Sequence, residues 1–355
     1  MKLLFVLELG LLHYRIPILE QIARDDSVEK CDVLHTETHT NSSYAFIELK
    51  SSPRYYGKFR FLPEVRALKD AYDVVVFSFN LWMPNWIFTF FSNRKPKYIL
   101  WGQGFGRENN YWAARLARIS FAKWADGLIL YTAKGAEDFL EYGIPREKLF
   151  VAKNTLHIGN AGRSGQAQKT DLLYVGRIQK RKGIDLLLKA FCKVKDNIPE
   201  YVRVRVVGSG DKTELLEQVN TYGLQGRVMF NSGVFDEEQL KNIFSTAIAY
   251  VSPDHVGLGV VHSFAYGVPV VTNKNRKHAP EVEYCDSSNS ILYEGGVEQL
   301  ALELERICTD SNLQGSLSEA SYAYYDKNLR SEIMINGFLQ AFRYVTTGPG
   351  KAVKV

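Results

Sequence analysis

The sequence predicts an α/β protein made of two doubly wound domains, on three observations. Short apolar runs alternate with helical patterns along most of the 355 residues, as in parallel sheets with crossover helices. The chain is also longer than the roughly 250–300 residues at which single cores stop growing. The alternation stops over residues 156–170, a polar stretch rich in small residues, and then restarts. We therefore predict one domain over 1–155, a linker over 156–170 and a second domain over 171–330. Residues 331–355 are predicted to form a helix that can return to the first domain, followed by a loose tail.

In the first domain, helical patterns cover residues 16–23 and 112–124. The stretch 74–92 is almost free of charge and nearly long enough to span a bilayer. Pro84 and Asn85 lie in its middle, so we favour a buried strand, a turn and an apolar helix that begins near Pro84. A membrane span is the alternative. Strands are predicted at 2–7, 30–35, 74–79, 98–101, 127–131 and 149–152.

The second domain repeats the alternation of strands and helices, and the segment 316–345 that follows it has a helical pattern. Two such lobes are expected to leave a cleft between the carboxyl ends of their strands, where ligands bind in sheets of this kind. Strands are predicted at 172–175, 202–207, 228–231, 248–251 and 269–272, and helices at 184–194, 213–222, 237–246 and 260–266.

Composition excludes several classes of protein. The net charge of +5 is too mild to indicate nucleic acid, and it suits a phosphate-bearing ligand or an anionic lipid surface. Glu8 interrupts the apolar N-terminal run, which favours a first strand over a signal peptide, so we expect a cytoplasmic protein. The four cysteines lie far apart without zinc-ligand spacing and are expected to be reduced packing residues. They are Cys31, Cys192, Cys285 and Cys308.

The most informative motif covers residues 176–183, between a predicted strand and a predicted helix. It begins with Gly176 and Arg177 and ends with Lys182 and a glycine. A turn from strand to helix directs backbone N–H groups and the positive end of the helix toward the ligand crevice, where the two cations add charge. The motif predicts a diphosphate site, and a solvated basic loop is the alternative.

Two further motifs follow predicted strands. Gly208 and Gly210 form a GxG turn that lets the backbone approach a ligand, although short glycine turns are also common after strands. Asp254 follows a later strand, and His262 lies eight residues beyond it on the next helix. This spacing can direct a carboxylate and an imidazole to opposite ends of one ligand. Alternatively, Asp254 is a turn residue and His262 a core histidine.

Together these motifs resemble the C-terminal domain of the retaining glycosyltransferases of family 4, over residues 171–295. The resemblance implies the GT-B fold, in which two Rossmann-like domains face each other across a cleft. It implies that Arg177 and Lys182 contact the donor diphosphate. Asp254 and His262 replace the two glutamates that contact the donor sugar and the ribose in that family. Further donor-binding residues implied by the resemblance are Gly176, Gly208, Gly210, Val256, Gly257, Leu258 and Glu281.

The first domain is less diagnostic, as expected of a lobe that binds a variable acceptor. Residues 10–17 resemble the first turn from strand to helix in this family. Gln103 stands between two glycines where many relatives have histidine. On this basis the acceptor-side residues are Gly10, His13, Tyr14, Arg15 and Gln103.

The resemblance implies transfer of a sugar from a nucleotide diphosphate sugar to a hydroxyl of a glycan or lipid-linked acceptor, with retention. Bacterial polysaccharide or lipopolysaccharide synthesis is the expected context, at the inner face of the membrane. No Asp-x-Asp motif occurs, so neither a metal nor another cofactor is expected. A non-catalytic nucleotide-sugar-binding protein and a sugar-nucleotide epimerase remain alternatives. A dinucleotide oxidoreductase is disfavoured, because the glycines at 102–106 lack the GxGxxG spacing.

Overall fold

The structure is a computed structural model that describes residues 1–7, 10–36, 43–89, 96–105, 112–163 and 167–348. The chain divides into two compact units. Unit 1 comprises Met1–His157 and Ser331–Val355, and unit 2 comprises Ile158–Arg330. Part of the predicted linker, at 164–166, and the tail at 349–355 lie outside the described residues.

Unit 1 is built on one parallel sheet and a separate antiparallel hairpin. The described strands are β1 (Lys2–Leu7), β2 (Lys30–His35), β3 (Ile47–Lys50), β4 (Arg54–Tyr56), β5 (Phe59–Phe61), β6 (Val74–Ser78), β7 (Lys97–Gly102), β8 (Gly127–Leu130) and β9 (Leu149–Val151). The described helices are α1 (Ile16–Ala23), α2 (Val65–Leu68), α3 (Trp112–Trp124) and α4 (Ala133–Leu140). The strand order of the parallel sheet is β3-β2-β1-β6-β7-β8-β9, and β4 and β5 form the hairpin. The chain winds in one direction from β1 to β3 and in the other from β6 to β9.

Unit 2 is built on a second parallel sheet. The described strands are β10 (Asp171–Val175), β11 (Arg203–Val207), β12 (Val228–Asn231), β13 (Ala247–Val251), β14 (Val270–Asn273) and β15 (Ser290–Tyr293). Their order in the sheet is β12-β11-β10-β13-β14-β15. The winding direction reverses between β10 and β13, which is the point where doubly wound sheets bind ligands. The described helices are α5 (Ile184–Val194), α6 (Thr213–Thr221), α7 (Glu237–Ser245), α8 (Gly259–Ala265), α9 (Val297–Thr309) and α10 (Ser311–Asn328). The predicted doubly wound α/β architecture is confirmed in both units.

Local sequence explains why these elements form where they do. Helix α5 buries Ile184, Leu187, Leu188 and Phe191, which recur at the helical period and cover one face of the sheet. Strand β13 is buried at every position, as expected of a strand with helices on both faces of its sheet.

The C-terminal segment returns to unit 1. The helical pattern predicted over 316–345 is two helices, because α10 ends at Asn328 and α11 spans Ser331–Thr347. Phe338 and Phe342 of α11 contact Phe5 of β1, with ring centroids 6.0 and 6.1 Å apart. Gly337 allows close approach, since an added Cβ would lie 2.5 Å from the Val151 carbonyl oxygen.

Some elements differ from the predictions. Strands β3, β4, β5 and β15 and helices α2, α4 and α9 were not predicted. The apolar helix expected near Pro84 is a 3₁₀ helix at Asn85–Thr89, and the Asn85 side chain accepts a hydrogen bond from the Leu62 backbone at 2.6 Å. The rest of the predicted helix, at 90–92, lies outside the described residues. Among the residues described, no helix is long and apolar enough to cross a bilayer.

Candidate functional site

The first candidate loop of unit 2 leaves the carboxyl end of β10. The Tyr174 hydroxyl donates to the Arg177 carbonyl at 2.8 Å, which holds the loop at its base. A 3₁₀ turn at Lys180–Lys182 follows. Gly183 then takes a left-handed conformation, φ 70°, and precedes α5. Arg177 is exposed, and Lys182 is half-buried.

The second loop, after β11, packs closely against the first. A Cβ added to Gly208 would lie 1.8 Å from the Gly176 carbonyl oxygen, and one added to Gly210 would lie 2.3 Å from that of Ile178. Real Cβ atoms do not approach other atoms this closely. The close contact between the loops therefore explains by itself why positions 208 and 210 are glycine. The role of these glycines in binding a donor stays a prediction.

The third loop, after β13, is tied to the first across the reversal point of the sheet. The Lys182 ammonium donates to the His255 carbonyl at 3.0 Å, and the Ser252 hydroxyl donates to the same carbonyl at 2.8 Å. Gly183 lies directly beneath Asp254, since an added Cβ would be 3.2 Å from the aspartate Cβ. The sheet thus brings Lys182 and Asp254, 72 positions apart in the sequence, to one edge.

Asp254 is the carboxylate at this edge. Its Oδ1 lies 2.9 Å from the Arg276 Nε. Burial raises the pKa of Asp254 above its ordinary value, Arg276 opposes that shift, and Asp185 of α5 reinforces it. The site therefore places a partly desolvated carboxylate beside the Arg276 cation, while the Lys182 ammonium contacts the backbone of the next residue, His255.

His278 is buried and supports the loop that contains Val256, Gly257 and Leu258. The His278 Nδ1 accepts from the Val256 N–H at 3.0 Å, and its Nε2 donates to the Asn273 carbonyl at 2.6 Å. His278 thus connects the Val256 backbone to the end of β14. Glu281 is buried at 3% exposure in the 3₁₀ helix Pro280–Tyr284.

His262 lies on α8 and faces a different carboxylate from Asp254. Its Nε2 is 3.4 Å from Glu237 Oε1, at the start of α7. The Tyr266 hydroxyl donates to the other oxygen of Glu237 at 3.0 Å, and Phe244 stacks on the imidazole with centroids 6.3 Å apart. The ring is thus oriented by α7 while its side chain keeps 18% exposure.

The predicted acceptor-side residues lie at the carboxyl ends of β1 and β7 in unit 1. Gly10 adopts φ 98°, and His13 and Gln103 are exposed. Tyr14 contacts the His13 ring edge-on at 5.7 Å. These residues border one edge of a parallel sheet, and their contact with an acceptor stays a prediction.

Arg15 differs from its neighbours because it is buried. Its Nη2 donates to the Asn154 side chain at 2.5 Å, and its guanidinium lies 4.8 Å from the Trp101 ring centroid. These contacts lie within unit 1, so the arginine stabilises the first turn after β1.

Comparison with known proteins identifies the segment that carries the three loops. Residues 163–324 match the family model described as "Glycosyl transferases group 1". The matched segment lies within unit 2 and includes most of it. The lipopolysaccharide core biosynthesis glycosyltransferase LpsE of Rhizobium meliloti is 24% identical over 230 residues, which cover 63% of the chain and 66% of LpsE. The chain therefore matches just under two thirds of that relative's length.

Solved structures extend the likeness to the fold of the whole chain. HepE of Anabaena in complex with UDP has a TM-score of 0.74 at 17% identity, covering 96% of this chain and 99% of HepE. The apo lipopolysaccharide outer core galactosyltransferase WaaB has a TM-score of 0.70 at 13% identity, covering 96% and 99%. At such identities the likeness concerns the fold alone, and it confirms the GT-B fold that the sequence motifs implied.

Three charged residues of unit 2 were not singled out from the sequence. They are Asp185 and Arg276, which act on Asp254, and Glu237, which contacts His262. Asp185 was recognisable as an acidic residue in the first turn of a predicted helix. Glu237 likewise stands in the first turn of a predicted helix, whereas Arg276 stands in an ordinary polar segment that no sequence pattern distinguishes. Across the described residues, no cluster of three metal-ligating side chains occurs.

Proposed function

We propose that the protein transfers a sugar from a nucleotide diphosphate sugar to an acceptor hydroxyl, with retention and without a metal or other cofactor. The observation that carries this proposal is the hydrogen bond from Lys182 to the His255 carbonyl. It joins the two loops at the reversal point of unit 2, where doubly wound sheets bind ligands. The likeness to HepE, solved in complex with UDP, supports a nucleotide-sugar donor.

Charge on the departing diphosphate is the main barrier to such a reaction, and oriented cations lower it most directly. Arg177 would supply a cation from its exposed position, and Lys182 would supply one already held by the neighbouring loop. Asp254 would hold the donor sugar. His262, oriented by Glu237, would hydrogen-bond the ribose, with Glu281 as a supplementary contact.

The relatives indicate the context of the reaction. LpsE is named for lipopolysaccharide core biosynthesis, and WaaB for transfer of galactose to the lipopolysaccharide outer core. We propose that this protein likewise extends a glycan or lipid-linked acceptor in bacterial surface-glycan synthesis, in the cytoplasm at the inner face of the membrane. Gly10, His13, Tyr14 and Gln103 would border the acceptor.

Calorimetry with a nucleotide diphosphate and its sugar conjugate tests the donor site. Asp254→Asn should weaken only the nucleotide sugar, because it removes the charge that holds the sugar. His262→Ala should weaken both ligands by about 1 kcal/mol, the net value of one neutral hydrogen bond. Glu237→Gln should reproduce part of that loss, since Glu237 orients the ring. The exposed Asp196, beyond the end of α5, provides Asp196→Asn as a matched control.

Equal losses for both ligands in Asp254→Asn, or a loss confined to the nucleotide sugar in His262→Ala, would show that the two roles are misassigned. Product analysis by NMR then tests the reaction, since the anomeric configuration of the product distinguishes retention from inversion. Binding of donor without transfer to any acceptor, and without donor hydrolysis, would contradict the proposed activity.

A further inference from the structure

A second surface, in unit 1, exposes an unusual density of aromatic side chains. It consists of the hairpin formed by β4 and β5, together with Trp82, and we call it the aromatic hairpin. The exposed fractions are 59% for Tyr55, 63% for Tyr56, 43% for Phe59 and 50% for Trp82. Grouped exposure of large apolar side chains in a folded domain marks an interaction site.

These rings are held in place by the fold. The Arg60 backbone N–H donates to the Trp82 carbonyl at 2.9 Å, which fixes the hairpin against the segment that carries Trp82. The Phe59 and Trp82 rings lie 5.6 Å apart, and the Phe61 ring lies 6.0 Å from that of Phe88. The aromatic surface is therefore ordered before any partner binds.

The same surface is basic. The hairpin residues 54–61 contain three cations and no acid. Lys58 lies over the Trp82 ring at 5.7 Å. The neighbouring carboxylate, Glu64, accepts hydrogen bonds from Ser51 and from the Ser52 backbone.

A cavity of about 480 Å³ opens beside the hairpin. Arg54 and Arg66 line it, together with the rings of Tyr56, Phe59, Phe61 and Phe88. Its lining thus combines two arginines with four aromatic side chains. Lys69, three positions after Arg66 in the sequence, is not part of the surface, because it is buried at 4% exposure and pairs with Asp70 at 2.8 Å.

We propose that the aromatic hairpin is a docking surface for an anionic phospholipid bilayer. Aromatic rings with polar edges prefer the boundary between headgroups and acyl chains, and cations beside them contact lipid phosphates. Trp82, Tyr56 and Phe59 would enter that boundary, since Tyr56 pairs with Phe59 across the hairpin and Phe59 contacts Trp82. Arg54, Lys58 and Arg66 would contact the phosphates. This combination fits an anionic membrane better than a protein partner, because the cations are complementary to lipid phosphate and the rings have the composition of an interfacial anchor.

Vesicle sedimentation tests the charge requirement. The full-length protein should bind vesicles of equimolar phosphatidylcholine and phosphatidylglycerol at low salt, and bind phosphatidylcholine alone weakly. Each basic residue near the surface contributes about fivefold in partitioning, so Arg54→Glu/Lys58→Glu should lower binding by at least about 25-fold. The same charge change in unit 2, Lys193→Glu/Lys327→Glu, serves as the control and should have a much smaller effect.

Fluorescence tests whether the rings insert. Brominated lipids should quench the wild-type tryptophan emission, and Trp82→Phe should remove most of that quenching while sedimentation stays nearly normal. Inorganic phosphate should weaken binding only as much as chloride at matched ionic strength, because a bilayer rather than a free anion is the ligand. Uridine diphosphate affinity in the hairpin variants should be unchanged, so failure of the hairpin proposal is distinguishable from failure of the donor site.

No binding to anionic vesicles at low salt would overturn the proposal. Equal losses in the hairpin and unit 2 charge variants would also overturn it, as would unchanged quenching in Trp82→Phe. Displacement by phosphate beyond its ionic-strength effect would show a small-anion site instead.

Discussion

Lys182 and Arg177 allow a sharp test of the proposed diphosphate site, because the structure gives the two cations different surroundings. The Lys182 ammonium bridges two loops through the His255 carbonyl at 3.0 Å. Arg177 is exposed, and no ion pair or side-chain hydrogen bond of its guanidinium is found among the described residues. Lys182→Met and Arg177→Met each remove a cation and retain most of the aliphatic stem. Both should impair catalysis, but only the first should also loosen the fold.

The expected magnitudes follow from these contacts. Loss of one oriented contact to the transition state lowers turnover roughly a hundredfold, which corresponds to about 3 kcal/mol. A hydrogen bond from a charged group contributes about 1.5–3 kcal/mol, and half-burial of Lys182 places it at the lower end. For a unit of this size, 1 kcal/mol shifts Tm by about 2–4 °C. Lys182→Met should therefore lower Tm by about 3–6 °C, and Arg177→Met by less than about 2 °C.

Two measurements on the same preparations check the expected losses of turnover and of Tm. Initial rates with a saturating nucleotide sugar give turnover, and differential scanning calorimetry gives the transition of unit 2. Normal turnover in both variants would show that the diphosphate does not bind at this edge. Equal Tm values for the two variants would show that the bond to His255 contributes nothing to stability.

Two further predictions concern stability. Because burial raises the pKa of Asp254 and Arg276 opposes the shift only in part, the folded state binds more protons than the unfolded state between the ordinary pKa and the raised one. The free energy of unfolding therefore falls as pH rises through that window. Asp254→Asn should raise Tm at neutral pH, and this increase in Tm should become smaller as the pH is lowered. A lower Tm than wild type at neutral pH would show that the ion pair with Arg276 outweighs burial. Gly208→Ala should destabilise unit 2 by about 1–3 kcal/mol, because its Cβ would meet the Gly176 carbonyl oxygen at 1.8 Å. Urea unfolding measures this loss of stability. Gly233→Ala is the control, since its added Cβ would lie 3.7 Å from the nearest atom, the Ser209 backbone nitrogen.

The periodic parts of the fold were predictable from the sequence. The predicted bounds of α1, α3 and α5 agree with the structure at both ends, since each combines a helical apolar period with clear flanking residues. The elements missed have little apolar contrast. Strand β3 lies at the edge of its sheet with no fully buried residue, and the β4 strand is exposed throughout, so neither produces the alternation by which strands are recognised.

The candidate site was partly predictable for a similar reason. Arg177, Lys182 and Asp254 follow strands, and the carboxyl ends of parallel strands meet at one edge. The charged partners of Asp254 and His262 were not predictable. Arg276 reaches Asp254 from the loop after β14, and Glu237 reaches His262 from α7. Both contacts depend on side-chain direction after folding, which residue type and spacing do not record.

The sequence by itself determined the two doubly wound sheets and the loops that carry chemistry, because both follow from local periodicity and from glycine and charge at strand ends. Only the tertiary structure decided which charges act together. It removed Lys69 from the basic surface by pairing it with Asp70. It also assembled Trp82 and the β4–β5 residues into one aromatic surface. Electrostatic and ring contacts act over a few ångströms, and which residues come that close is determined by packing between elements distant in sequence.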